Sequence, residues 1–227
     1  MPLSDPKVTS IVKQQAIGFL GGTFDPIHFG HLRPALEVCE RVNLQTLFLL
    51  PNHIAPHKSS AQCSATRRAH MVRLAIKAQP KLRIDTRELN RAQASYTIDT
   101  LKELKQDYPH TPICFIMGMD SLLSFDSWHQ WQDILNYCHL IVCHRPGWKC
   151  DFNNKISALL KAHKTSHKDD LHCLQAGKIY FQETTQLEVS SSQIRDALQQ
   201  HRSIDYLLPN SVIDYIKTQQ LYKNTPD

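Results

Sequence analysis

The sequence predicts an α/β fold: a doubly wound, mostly parallel sheet of Rossmann-like layout with a small C-terminal helical appendage. Three observations predict it. Short apolar runs alternate with longer amphipathic stretches almost from the start. Most of those runs are apolar throughout, as parallel strands covered on both faces must be. The first run ends in paired glycines, Gly21-Gly22, that lead straight into a helical pattern. Alternating strands and helices imply parallel pairing through right-handed crossovers.

Residues 16–20, 46–50, 82–85, 113–117 and 140–143 read as strands, with 178–181 as a sixth, and the first, second, fourth and fifth are nearly continuously apolar. Residues 31–42 read as a helix, and Pro34 fits near its first turn, where a missing N–H matters least. Residues 65–79 place Met71, Leu74, Ala75 and Ala78 on one face, and 97–108 do the same with Ile98, Leu101 and Leu104. A serine cluster suited to an N-cap opens 190–200, and Pro209 stands near the start of 209–221. The expected organisation is an N-terminal extension (1–15), a sheet core (16–183) and a C-terminal helical subdomain (184–227) beside the open end of the sheet.

A chain of 227 residues, 41% hydrophobic, can bury one sizeable core. The net charge of +5 suits a pocket for phosphates and is too weak to indicate nucleic acid, since Lys and Arg form no block and do not interleave with aromatics. Residues 1–15 lack the apolar core of a signal peptide, and no apolar run reaches membrane-spanning length. A cytoplasmic protein without a membrane partner is the expectation, and a homo-oligomer stays open. The seven cysteines include no C-x-x-C pair, and Cys39, Cys114, Cys138 and Cys143 fall in apolar segments, so reduced thiols are expected. His163, His167, His172 and Cys173 are spaced too loosely for a typical zinc site, and the surrounding stretch reads as a polar, solvated excursion without metal.

Chemistry concentrates in the loop after the first strand. Ligands of open α/β sheets bind at strand ends where strand order reverses. Gly21 and Gly22 let backbone approach a phosphate closely, and the next helix aims its free N–H groups and positive dipole end at the same spot. The loop lacks the G-x-G-x-x-G pattern of dinucleotide oxidoreductases. It carries His28 and His31 around Gly30 instead, three residues apart, which directs both imidazoles to one side of the helix start. Two such donors suit a triphosphate whose charge shifts during reaction.

These residues resemble the nucleotidyltransferase superfamily, whose signature is a glycine turn followed by H-x-G-H or T-x-G-H. Within it the chain is similar to the bacterial nicotinate-nucleotide adenylyltransferase family. The likeness rests on Gly21 to His31, Pro56-His57-Lys58, Ser95 to Leu101, Gly118 to Leu122, Arg145-Pro146-Gly147 and Ser190 to Arg195. It departs from the family pattern at Ala55, where a second proline is common, and at Ser192, where threonine is usual.

The resemblance implies catalytic roles for His28, His31, Lys58 and Arg195, and an ATP site at Gly21, Gly22, Thr23, Phe24, Gly30, Gly118, Asp120, Ser191 and Ser192. It implies acceptor binding by Asp25, His57, Tyr96, Thr97, Trp128 and Arg145. Several plainer readings stand beside these. Ser190 to Arg195 also reads as an ordinary helix start, although serine hydroxyls, free amides and the fork of Arg195 together suit ATP's outer phosphates. His57 and Lys58 also read as solvated surface charge, and Asp25 as a residue that fixes its own turn. Asp120 could hold a ribose hydroxyl or help place magnesium. Trp128 suits a flat heterocycle, and it equally suits core packing beside Trp131.

The implied reaction joins ATP to nicotinate mononucleotide, releasing pyrophosphate and requiring Mg2+ with ATP. Phosphopantetheine adenylyltransferase is the nearest alternative, although that relative usually has Thr at the position of His28 and lacks the Tyr96/Trp128 pair. A nucleotide-binding regulator without turnover is another, but it could dispense with Arg195 and both histidines.

Overall fold

The computed structural model describes residues 15–53, 61–91, 95–147 and 150–222. In chain order the elements are β1 (Ile17–Gly22), α1 (Phe29–Arg41), β2 (Leu47–Pro51), α2 (Ala65–Ile76), β3 (Leu82–Ile84), α3 (Thr97–Asp107), β4 (Ile113–Gly118) and α4 (Met119–Leu123). There follow β5 (His139–His144), α5 (Asn154–His163), β6 (Lys164–Thr165), α6 (Asp170–Cys173), β7 (Ile179–Glu183), α7 (Ser191–Gln199) and α8 (Asn210–Thr218). Short 3-10 turns at Arg87–Asn90, Phe125–Ser127 and Trp131–Asn136 join some of them.

The strands form one sheet in the order β3-β2-β1-β4-β5-β7-β6, with every neighbouring pair parallel. The chain moves outward from β1 through β2 to β3, then returns to β4 on the other side of β1. Strand order therefore reverses between β1 and β4, and their C-terminal ends at Gly22 and Gly118 flank the crevice.

Strand alternation feeds two cores. On β2, Leu47 and Leu49 face the layer of α1, α2, α7 and α8, while Phe48 faces the layer of α3 and the turns after β4. Ile194, Val212, Ile213 and Ile216 share the first core with Val38 and Met71. The segment after β7 is thus packed into the main fold.

Three features differ from expectation. The sixth strand is β7, and it is flanked by β6, two residues with no apolar signal at all. Helix α5 forms where no helix was expected, started by Asn153, whose side chain accepts from the Ile156 amide. The histidine-rich stretch is not a solvated excursion, because Leu171 and His172 are buried. His172 accepts from the Ala16 amide through Nδ1 (3.1 Å) and donates from Nε2 to the Val42 carbonyl (2.8 Å), stapling the start of β1 to the end of α1. His163 is bonded separately to the Gly177 carbonyl at 2.8 Å. No cluster of three or more metal-ligating side chains forms among the described residues.

Candidate active site

The turn after β1 is shaped by close contacts. A Cβ on Gly22 would meet the Phe24 ring at 2.8 Å. Phe24 is buried with a left-handed φ of 51°, a backbone state that bulky side chains rarely adopt and that costs roughly 1–3 kcal/mol. Its ring meets His31 edge-on at 5.1 Å. Helix α1 begins at Phe29, two residues earlier than expected, so His28 is its N-cap residue and His31 lies in its first turn. The two imidazoles lie on the same side with centroids 3.8 Å apart and planes 34° apart. Glycine is required beside His28: a Cβ on Gly30 would stand 2.9 Å from the His28 ring and 3.0 Å from the Val189 carbonyl.

Burial pushes the His28 pKa down to about 4, so at neutral pH its ring is uncharged and offers one N–H donor. His28 Nδ1 is buried and has no hydrogen-bond partner among the described residues. The amides of Gly30, Ser191 and Ser192 likewise donate to no described group, as expected at helix starts poised for an anion.

Helix α7 docks onto this loop. Ser190 and Gln193 form a capping box, Ser191 Oγ donates to the Pro26 carbonyl (2.9 Å), and Arg195 Nη1 donates to the Asp25 carbonyl (2.7 Å). The Ser191 hydroxyl proton is thus directed at the loop, while the Ser191 amide donates to no described group. Arg195 Nη2 reaches Ser192 Oγ at 3.3 Å, and its buried Nε has no described partner. The carboxylate of Asp25 is enclosed by the loop and its neighbours. At 3% exposure it accepts from the Gln62 amide (2.8 Å), the Cys63 amide (3.3 Å) and the Tyr222 hydroxyl (2.6 Å). It clasps the loop to both chain segments around it.

A cleft of about 540 Å³ opens at the ends of β4 and β5, lined by Gly118, Met119, Asp120, Arg145 and Gln186. Asp120 is exposed there. Arg145 was expected beside the acceptor, but it shares this cleft with Gly118 and Asp120, both expected around ATP, and pairs with Glu188 at 2.8 Å.

Tyr96 and Thr97 open α3. Tyr96 is the N-cap residue, its ring lies 4.5 Å from that of His129, and the first-turn amides of Thr97 and Ile98 have no described acceptor. Beneath them a buried Thr100–Glu88 hydrogen bond (2.6 Å), extended to Arg91, fixes the helix start. Trp128 is half-buried, edge-on to Phe115 at 6.2 Å and tilted on Phe125 at 5.4 Å. Phe115 in turn lies against Gly21, where a Cβ would meet it at 3.3 Å, so Trp128 belongs to an aromatic group that reaches the glycine turn. His57 and Lys58 lie outside the described residues.

Two contributors had not been expected. Tyr222 seals Asp25, and Arg68, on the buried face of α2, donates to the carbonyls of Thr23, Asn52, His53 and Cys63. The signal for Arg68 was present in the sequence, since it stands three residues before Met71 and four before Val72, on the apolar face of that helix.

Comparison with known proteins agrees with the fold. A family model described as cytidylyltransferase-like matches residues 19–197. The chain is 64% identical over 212 residues to a protein of Psychromonas ingrahamii named "Probable nicotinate-nucleotide adenylyltransferase", covering 93% of this chain and 99% of that one. It is 48% identical to a protein of the same name from Aeromonas salmonicida, covering 91% and 97%. In fold it is similar to the Plasmodium falciparum nicotinic acid mononucleotide adenylyltransferase complexed with NaAD, at a TM-score of 0.69 and 22% identity, covering 92% and 97%.

Proposed function

Since the chain belongs to the nicotinate-nucleotide adenylyltransferases, within the cytidylyltransferase-like family, we propose how its residues share the work of adenylyl transfer. The enzyme joins ATP to nicotinate mononucleotide, forming nicotinate adenine dinucleotide and pyrophosphate for NAD biosynthesis. The observation that carries the mechanism is the imidazole pair packed over Gly30 at the start of α1.

A mononucleotide phosphate oxygen, already ionised at neutral pH, attacks the α-phosphorus of ATP. A P–O bond forms as the bond to pyrophosphate breaks. No general base is needed, and catalysis consists of alignment and neutralisation of charge. His28, neutral, and His31 donate to α-phosphate oxygens as the phosphorus becomes five-coordinate. The free amides at the starts of α1 and α7, with the unpartnered Nε of Arg195, receive the departing phosphates, and Lys58 assists from the second loop. The segment from 184 onward thereby completes the phosphate site. Adenosine occupies the cleft at Gly118, Asp120 and Arg145.

The start of α3 receives the pyridine carboxylate on the amides of Thr97 and Ile98, where a helix dipole favours an anion over a neutral carboxamide. Trp128 stacks on the ring. Mg2+ fits as a companion of ATP: it binds through phosphates and few carboxylates, and Asp120 offers an exposed carboxylate where the described residues form no cage. When bound it offsets charge on the triphosphate. All seven cysteines are free, which suits the reducing cytoplasm, and among the described residues no helix is long and apolar enough to cross a membrane. The test is pyrophosphate release from Mg-ATP with nicotinate mononucleotide, nicotinamide mononucleotide and phosphopantetheine offered in turn.

A further inference from the structure

Arg68 is 1% exposed and forms no ion pair among the described residues. Its donors all go to backbone carbonyls: Nε to Cys63 (3.3 Å), Nη1 to Thr23 (2.6 Å), and Nη2 to Asn52 (2.7 Å) and His53 (3.2 Å). Thr23 follows β1, while Asn52, His53 and Cys63 all lie in the connection from β2 to α2, so one side chain ties two loops together. Burying a guanidinium is costly unless every donor is satisfied, and a core position could be filled by an apolar side chain at no such cost.

The peptide group supplies a reason for keeping the charge. It is planar and trans, so an N–H points away from the carbonyl of the same group. With the Thr23 carbonyl held on Arg68, the Phe24 amide faces the opposite way, and the same holds for the Asn52 carbonyl and the His53 amide. Neither amide donates to any described residue. Both stand at the C-terminal ends of adjacent strands, on the ligand side of the sheet. Phe24 enters its left-handed conformation directly after the pinned carbonyl, so the grip also fixes the turn that presents His28 and His31.

We propose that Arg68 is a positioning residue that holds the Phe24 and His53 amides as a two-point receptor for the phosphate of the acceptor mononucleotide. The proposal rests on the adenylyl-transfer reading above. It places that phosphate on the β1–β2 side of the crevice, opposite the adenosine cleft and next to the imidazoles that hold the α-phosphate. The planar fork is essential, because a lysine ammonium concentrates its donors at a point and cannot grip both loops.

The test compares Arg68→Lys with Met71→Ala, a core truncation one turn along the same helix. Both are assayed at a temperature where circular dichroism shows them folded. Arg68→Lys should raise the KM for nicotinate mononucleotide about tenfold or more, while the ATP KM changes less than about twofold and Met71→Ala moves neither. Equal behaviour of the two variants would reduce Arg68 to a stabilising residue and overturn the proposal. Should Arg68→Lys fail to fold, the wild type decides. On titration with nicotinate mononucleotide the amide resonances of Phe24 and His53 should shift, and unmoved resonances would refute the receptor. Wild-type turnover is measured first, so its absence would count against the reaction and not against the role of Arg68.

Discussion

At the scale of single residues, His28 and His31 are the proposed centre of the chemistry. A well-aimed transition-state donor is worth about 2.7–4 kcal/mol, so His31→Ala should lower kcat about a hundred- to thousand-fold and His28→Ala similarly. ATP affinity, measured by calorimetry on the same variants, should hardly change. Near-normal turnover would remove this loop from the chemistry. The same burial that keeps His28 neutral has a consequence for stability, shared with His139. That residue is fully buried, donates from Nε2 to the Leu174 carbonyl and accepts the Lys178 amide on Nδ1, and burial pushes its pKa down to about 4. Unfolded, each histidine binds a proton near its ordinary value of about 6.5. Between these values the unfolded chain holds more protons, so stability is full above about 6.5 and is lost as pH falls toward 4. From pH 7 to 5 the loss should be about 2 kcal/mol for each histidine, and urea unfolding curves at the two values check it. Superimposable curves would mean that neither ring is held neutral. His28 and His31 were legible because they sit in a dense local motif. His139 and His172 were not, because their partners lie far away in sequence, up to 156 residues for His172 with Ala16.

At the scale of elements, what could be read was whatever carried its own periodicity. Strands β1, β2, β4 and β5 and helices α1 to α3 have continuous apolar runs or one apolar face, and they lie where expected within a few residues. Strand β6 could not be read, since Lys164-Thr165 pairs only because β7 offers an edge. Helix α5 is short and largely exposed, with Ile156 as its buried residue, so its sequence barely distinguishes it from a loop. Asp25 shows the limit for a site residue: its type and position suited a ligand contact, while its bonds to Tyr222 and to the amides of Gln62 and Cys63 come from residues up to 197 positions away. The start of α3 and the aromatic group at Trp128 form the element expected to choose the acceptor. Stacking is worth about 0.5–1.5 kcal/mol beyond buried area, so Trp128→Ala should raise the mononucleotide KM severalfold to tens of times with little effect on the ATP KM. Saturation curves for both substrates on a folded variant decide. A collapse of thermal stability with both KM values unchanged would assign Trp128 to packing against Phe115 and Phe125 alone.

At the scale of the whole molecule, the proposed function divides the crevice between two substrates. The sheet reverses between β1 and β4, the ends of β4 and β5 open the cleft around Asp120 and Arg145, and β1, β2 and α3 carry the expected acceptor side. Helix α7 closes over the meeting point through Ser191 and Arg195. The direct test of that arrangement is product analysis after incubation with Mg-ATP and nicotinate mononucleotide whose phosphate oxygens carry 18O, beside parallel incubations with nicotinamide mononucleotide and phosphopantetheine. The account predicts nicotinate adenine dinucleotide that keeps all the label of its mononucleotide, unlabelled pyrophosphate in equal amount, slower turnover of the other two acceptors, and complete loss of activity on chelation without loss of the circular dichroism of the folded state. Label in the pyrophosphate, or faster transfer to phosphopantetheine than to nicotinate mononucleotide, would contradict it.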